Sequence, residues 1–208
     1  MTALPTGGPA AGELERVAAL ARACTLCPDL PLVPRPVFRV AATARLLIVG
    51  QAPGTKVHAT GIPWNDPSGD RLRSWLGLDR ERFYDAARIA ILPAGLCYPG
   101  RLPGGGDAPP RRICAPTWHK LFLPLMPAIR LTLLVGSYAQ ALVLGPGAVG
   151  ERVRQFGDFL PLFCPLPHPS WRTTGWERRH PWFGETVLPA LRGVLAGVLA
   201  DEGEPVRD

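Results

Sequence analysis

Short, uninterrupted apolar runs alternate with amphipathic stretches along this chain. Arg45-Leu-Leu-Ile-Val-Gly50 is one such run, closed by a glycine, and has the form of a parallel strand buried on both faces. Residues 88–92, 131–135 and 160–164 repeat the form and predict three more strands. Between them the period changes to that of a helix. Residues 13–23, 68–78, 118–126, a stretch from Ser137, and 183–200 carry apolar side chains at helical spacing. Ser68 is placed to cap the second of these helices, and Pro124 shortens or kinks the third. Strands alternating with helices predict an α/β fold, a three-layer α/β/α sandwich around a central, mostly parallel four-stranded sheet.

Two segments interrupt the alternation. Residues 28–36 hold four prolines and read as an extended connector. Residues 97–116 are rich in proline and glycine and too long for an ordinary connection, which predicts a functional loop or one pinned by a ligand. Residues 1–11, mostly Gly, Pro and Ala, read as a disordered tail, residues 12–201 as one domain, and residues 202–208 as a C-terminal tail. The length of 208 residues suits one α/β domain with a large core, and no repeat or charge-dense block divides it.

Charge adds a weak pointer. Lys+Arg exceeds Asp+Glu by 23 − 17 = 6, and the pI is near 9.5. That balance suits a polyanionic partner, because cationic side chains release counterions condensed on phosphates. Only Lys56 and Lys120 are lysines, so the charge is nearly all arginine, which a GC-rich genome would also produce. No apolar run reaches the roughly 20 residues needed to cross a bilayer, and Met1 to Ala11 lacks the features of a secretory signal. The expectation is a cytoplasmic monomer with no membrane partner. In that compartment five cysteines are metal ligands or buried thiols more often than disulfides.

In a doubly wound sheet ligands bind at the carboxyl ends of the strands. Two short motifs fall there: Gly50-Gln51-Ala52-Pro53-Gly54 after the first strand and His168-Pro169-Ser170 after the last. Either alone is usually only a turn, and it is their joint appearance that is specific. Together they resemble the two motifs of the uracil-DNA glycosylase superfamily. Between them, Gly61-Ile-Pro-Trp-Asn-Asp-Pro-Ser-Gly69 is similar to a segment of that superfamily's iron–sulfur (family 4-like) branch, with Trp64 where the branch has a base-stacking Phe. Cys24 and Cys27 form a CxxC pair, Cys97 follows after 69 residues and Cys114 after 16 more, a layout that branch also has. Four thiolates can hold a [4Fe–4S] cluster, with zinc as the competing metal. Cys164, in an apolar run, reads as a small core residue.

The resemblance implies a glycosylase acting on DNA that contains damaged bases, taken from single strands or flipped from a duplex. Trp64 would stack on the extruded base. The Gln51–Pro53 turn, with Gly50 and Ala52, and the imidazole of His168 would stabilise charge on the departing base. Ser68 and Ser170 would hold flanking phosphates, with Arg172, Arg178 and Arg179 supplying charge along the groove.

Two departures bear on the chemistry. The family's water-activating carboxylate lies at the second or third residue of the first motif; here those residues are Gln51 and Ala52. Gln51 can orient a water but not accept its proton, so Asp66 is the substitute carboxylate, a turn or cap role being its alternative, and His58 the weaker candidate. Relatives also read the base edge with an asparagine four residues before the third cysteine, where this chain has Pro93. Asn65 is the only asparagine present and the candidate reader, so base choice is expected to be broad or altered. Ordinary core packing for Trp64 and a solvated surface for the arginines remain open. So do two other functions, a catalytically weak or inactive iron–sulfur protein that binds damaged or single-stranded DNA, and a hydrolase of free nucleosides or nucleotides.

Overall fold

The computed structural model of the protein describes residues 9–200, with side chains from residue 12. A four-stranded sheet forms the centre: β1 (Leu46–Val49), β2 (Ile89–Ile91), β3 (Leu131–Val135) and β4 (Phe163–Leu166), in the order β2-β1-β3-β4 and parallel throughout. The alternation of side chains along each strand divides the core in two. Leu46 and Ile48 of β1, Ile89 and Ile91 of β2, and Leu131, Leu133 and Val135 of β3 face one way. Leu47, Val49, Ala90 and Leu134 face the other. Both faces are covered, which explains why the strands read as continuous apolar runs.

The helices in chain order are α1 (Pro9–Arg22), α2 (Thr55–Thr60), α3 (Pro67–Leu76), α4 (Arg80–Phe83), α5 (Cys114–Phe122), α6 (Ser137–Leu144), α7 (Val149–Arg154), α8 (Thr174–Arg179) and α9 (Leu188–Leu199). On the first face Leu72, Trp75 and Leu76 of α3 pack with Val153 of α7 and with Leu191, Leu195 and Leu199 of α9. On the second, Leu14, Val17, Ala18 and Ala21 of α1 pack with Trp118 and Phe122 of α5 and Ala139 of α6. This is the expected three-layer sandwich. The strand order reverses between β1 and β3, and that switch opens a crevice at their carboxyl ends.

Several local expectations shift. α1 starts at Pro9, so three residues assigned to the tail are helical, while residues 1–8 and 201–208 lie outside the described residues. Asp66, not Ser68, caps α3: its Oδ1 accepts the Gly69 N–H at 2.8 Å, and Pro67 fills the first helical position. The helix predicted at 118–126 begins at Cys114 and gives way to a 3-10 turn over Leu123–Leu125, where Pro124 sits. β4 lies three residues later than predicted, and the closing helix opens with a π-helical turn over Phe183–Val187. Cys164 is buried in the first core, and burial pushes its thiol up to about 12. Among the described residues no single helix is long and apolar enough to cross a membrane.

Candidate active site

A cleft of about 550 Å3, open to solvent, lies at the switch point. One wall is the turn from Gly50 to Gly54, which leaves β1. Trp64, Asp66 and Ser68, at the entry to α3, form the second wall, and His168, beyond β4, forms the third. The two motifs and the segment between them, more than 100 residues apart at the extremes, therefore meet at one place.

Trp64 is held there under constraint. Among the described residues it is the one non-glycine with a left-handed backbone, φ 55°, a conformation that side chains beyond Cβ disfavour. Two glycines make room for it. A Cβ on Gly69 would sit 1.7 Å from the Trp64 carbonyl oxygen, and one on Gly50 would meet the indole at 2.7 Å. Arg73 is buried beneath and donates to the Trp64 carbonyl (3.2 Å), while the Tyr84 hydroxyl donates to the Pro63 carbonyl (2.8 Å). The indole thus lies over the first motif with its centroid 5.9 Å from the His168 ring.

His168 reaches the cleft because Gly136, at the end of β3, has φ +86° and no side chain; a Cβ there would stand 3.3 Å from that of His168. Burial lowers the His168 pKa below its ordinary value, with Asp66 opposing, so at neutral pH the ring is uncharged. A neutral imidazole can still donate an N–H to an anion that develops beside it. The loop that carries it is secured from outside. Arg71 donates to the Ser170 carbonyl (3.1 Å) and the Thr174 hydroxyl (2.8 Å) and pairs with Glu177 at 2.7 Å. Thr173 Oγ1 donates to the His168 carbonyl.

The remaining sequence candidates divide. Gln51 lines the cleft, but its amide Nε2 donates to the Ala108 carbonyl at 2.9 Å, so it braces the loop between Cys97 and Cys114 instead of holding water through that group. Asn65 is outside the cleft lining, and its Oδ1 accepts from Arg80 at 2.9 Å; the expectation that it reads a base is corrected accordingly. Pro93 lines the cleft, yet its carbonyl is engaged by His119 Nε2 at 3.0 Å. His58 is not in the lining; it lies on α2 with its ring 6.1 Å from that of Tyr98. Ser170 and Arg172 are outside the cleft lining, Arg172 with its guanidinium beside Gly106 and 5.5 Å from the Trp171 ring, and Arg178 and Arg179 are exposed on α8.

Two residues not singled out in the sequence stand out, one outside the cleft lining and one within it. Trp171, directly after the second motif, is 79% exposed, where a tryptophan is ordinarily buried. Asp107 joins the cleft from a hairpin in which Arg101 and Asp107 form an antiparallel bridge. Its signal was the glycine run 104–106 just before it, which turns the hairpin back toward the first motif.

The four remaining cysteines converge elsewhere. Cys24 and Cys27, after α1, and Cys97 and Cys114, at the two ends of the long loop, line one small cavity. Burial raises the Cys97 thiol to about 12 and Cys114 to about 11, against backbone N–H groups of Arg35 and Leu96 that donate to the sulfurs. Among the described residues no three of His, Cys, Asp and Glu are grouped to hold a single metal ion. The donor set itself, four thiols around one space with backbone N–H groups aimed at two of them, suits a thiolate-bound group.

An open parallel sheet with a crevice at its switch point, walled by a tryptophan, a histidine and carboxylates, defines a doubly wound α/β protein with its ligand site where that fold class places one. Residues 38–192 match the family model of the uracil DNA glycosylase superfamily, and the chain belongs to that superfamily. It is also similar to the solution NMR structure of a presumptive uracil DNA glycosylase from Methanosarcina acetivorans, at 14% identity and a TM-score of 0.43, over 77% of this chain and 98% of that one. That second likeness is loose and adds nothing to the assignment.

Proposed function

We propose that this protein is a monofunctional DNA glycosylase that flips out a deaminated base, uracil or a related lesion, hydrolyses its N-glycosidic bond and leaves an abasic site. The observation that carries the reading is the meeting of Trp64, His168 and the Gly50–Gly54 turn in one cleft. The base enters between the indole and the turn. As the glycosidic bond breaks, negative charge gathers on the base, and the uncharged His168 ring donates to it without having first attracted a counter-charge. Arg172, beside Gly106, meets a flanking phosphate. Trp171 stands beside it, exposed and apolar, suited to fill the gap left in a stack when a base departs. With Asn65 outside the cleft lining and Pro93 lacking a donor, no asparagine is placed to read the uracil edge as in relatives, which supports broad base choice.

The test is single-turnover release of uracil, hypoxanthine, xanthine and thymine from single- and double-stranded oligonucleotides. Release of more than one base by the wild type, and a loss of about 100-fold or more in His168→Ala, supports the reading. Strict uracil selectivity would contradict the broad base choice. A second reading, a protein that binds damaged DNA without cleaving it, draws on the absence of an acid at Gln51 and Ala52. Tight binding to lesion oligonucleotides with no base released would favour it.

The thiol cavity is read as the seat of a structural [4Fe–4S] cluster held by Cys24, Cys27, Cys97 and Cys114. Four thiols would suit zinc as well, and what favours the cluster is the likeness of the Cys24, Cys27, Cys97 and Cys114 layout to that of the iron–sulfur branch. When bound it supplies cross-linking of the chain. The protein's own part is to tie the loop between Cys97 and Cys114 to the end of α1. Iron and sulfide analysis with a visible spectrum decides the matter, and stoichiometric zinc without iron would reverse it.

A further inference from the structure

The glycosylase reading leaves one requirement unmet, a group that takes a proton from the attacking water. The first motif has no acid, and the sequence offered Asp66. Two carboxylates in fact line the cleft, Asp66 and Asp107, and they are held differently. Asp66 has one oxygen committed to the Gly69 N–H as the cap of α3. Among the described residues the Asp107 carboxyl accepts no hydrogen bond from the protein, and its Oδ2 overhangs the first motif, 3.3 Å from where a Gly54 side chain would begin. Any residue larger than glycine at position 54 would crowd that oxygen, so the motif's last residue leaves the space that the carboxylate uses.

The position is built, although the residue stands at the exposed mouth of the cleft. Leu102 N–H donates to the Gly106 carbonyl at 3.0 Å and Ala108 N–H to the Gly100 carbonyl at 2.8 Å, closing the hairpin on either side of it. The Gln51 amide then fastens Ala108 to the first motif. Gln51 acts here as the strut that sets the carboxylate. The cleft wall partly strips water from Asp107 and raises its pKa above the ordinary carboxylate value; Arg101 opposes this and Asp66 adds to it. That direction strengthens a base.

We infer that Asp107 is the general base of the reaction, the hairpin supplying the carboxylate that the first motif lacks. In the step it serves, a water hydrogen passes to the Asp107 carboxylate as the water oxygen bonds to C1′ of the deoxyribose. The C1′–N bond breaks, its electron pair leaves with the base, and the base anion later takes a proton from solvent. The products are an abasic sugar with a C1′ hydroxyl and the free base. The proton on Asp107 returns to solvent.

This inference rests on the glycosylase reading, and the experiment separates the two. Single-turnover base release is followed from pH 4 to 9 for wild type, Asp107→Asn, Asp107→Glu and Asp66→Asn, alongside binding to an oligonucleotide carrying an uncleavable 2′-fluorinated deoxyuridine. Charged or titratable groups around Asp107 are Asp66 at the cap of α3, Arg101 across the hairpin, Arg172 beside Gly106, and His168 in the cleft, so the profile is compared within this series. The expected result is a wild-type rate that climbs with pH as the base loses its proton and then levels. Asp107→Asn loses about 100-fold or more at the plateau and loses that climb, with analogue binding within about twofold and the same melting temperature. Asp107→Glu keeps more activity than Asp107→Asn. An active wild type with Asp107→Asn within threefold of it, or with rate and binding falling together, overturns the inference and leaves the glycosylase reading standing. A wild type that releases none of the bases overturns both.

Discussion

Replacing Gly69 with alanine puts a methyl group 1.7 Å from the Trp64 carbonyl oxygen, a separation no atom pair tolerates. The obstacle is backbone on both sides, so neither partner can rotate away. Three losses follow. Crowding a well-packed site costs about 1–3 kcal/mol. Displacing the Gly69 N–H from Asp66 removes a helix cap, about 1 kcal/mol. Moving the Trp64 carbonyl off Arg73 weakens a hydrogen bond from a charged donor, about 1.5–3 kcal/mol. Alanine returns up to about 1 kcal/mol through its better helix propensity. The net is a loss of roughly 2.5–6 kcal/mol, a large share of the 5–15 kcal/mol typical of a whole domain. Urea unfolding followed by circular dichroism measures it, with the slope held against wild type. Gly193→Ala, inside α9 with nothing within 4 Å, is the control and should gain about 0.5–1 kcal/mol. A Gly69→Ala protein within 1 kcal/mol of wild type, with base release unchanged, would refute the claim that this close approach fixes Trp64.

Arg71→Met removes one contact to the loop carrying His168 and two to α8 just beyond it; base release should fall by more than about tenfold while stability falls by only about 1–2 kcal/mol, and equal loss of both would mean that Arg71 is merely structural. Burial depresses the pKa of both His119 and His168 below 6.5, the latter against Asp66 and the former against its bond to Pro93. The unfolded chain therefore binds more protons just below pH 6.5, and stability, complete above that value, should decline as the pH falls toward the folded values. His119→Phe should flatten part of this decline in pH-dependent urea melts and, by leaving the Pro93 carbonyl unpaired, cost about 1–3 kcal/mol at pH 8. Trp171→Ala should leave the melting temperature unchanged and slow release from duplex more than from single-stranded DNA, an equal effect on both arguing against a gap-filling role.

The sheet was legible because its strands are covered on both faces and so announce themselves as apolar runs. β4 was placed three residues early because Pro161 and Leu162 extend the apolar run before the pairing starts. The cap of α3 was readable too, since an Asp followed by Pro is the pattern of an N-cap before a first helical turn, yet the serine beyond drew the assignment. Asn65 was chosen by elimination, and composition cannot show that Arg80 already holds it. Asp107 was out of reach for another reason. It lies more than 50 residues from the first motif, and what brings it there is a hairpin geometry closed by backbone hydrogen bonds and one glutamine amide. No periodicity encodes such a contact.

The cleft is thus assembled from parts of unequal tolerance. Around Trp64 and Gly50 the packing admits almost no substitution, whereas the 101–107 hairpin is exposed, and surface loops tolerate change more readily than the elements they connect. If the proton-accepting group sits on the variable part, natural drift can exchange it without disturbing the sheet. Changes confined to that loop can then tune or abolish the proposed proton transfer while the packing around Trp64 is left intact.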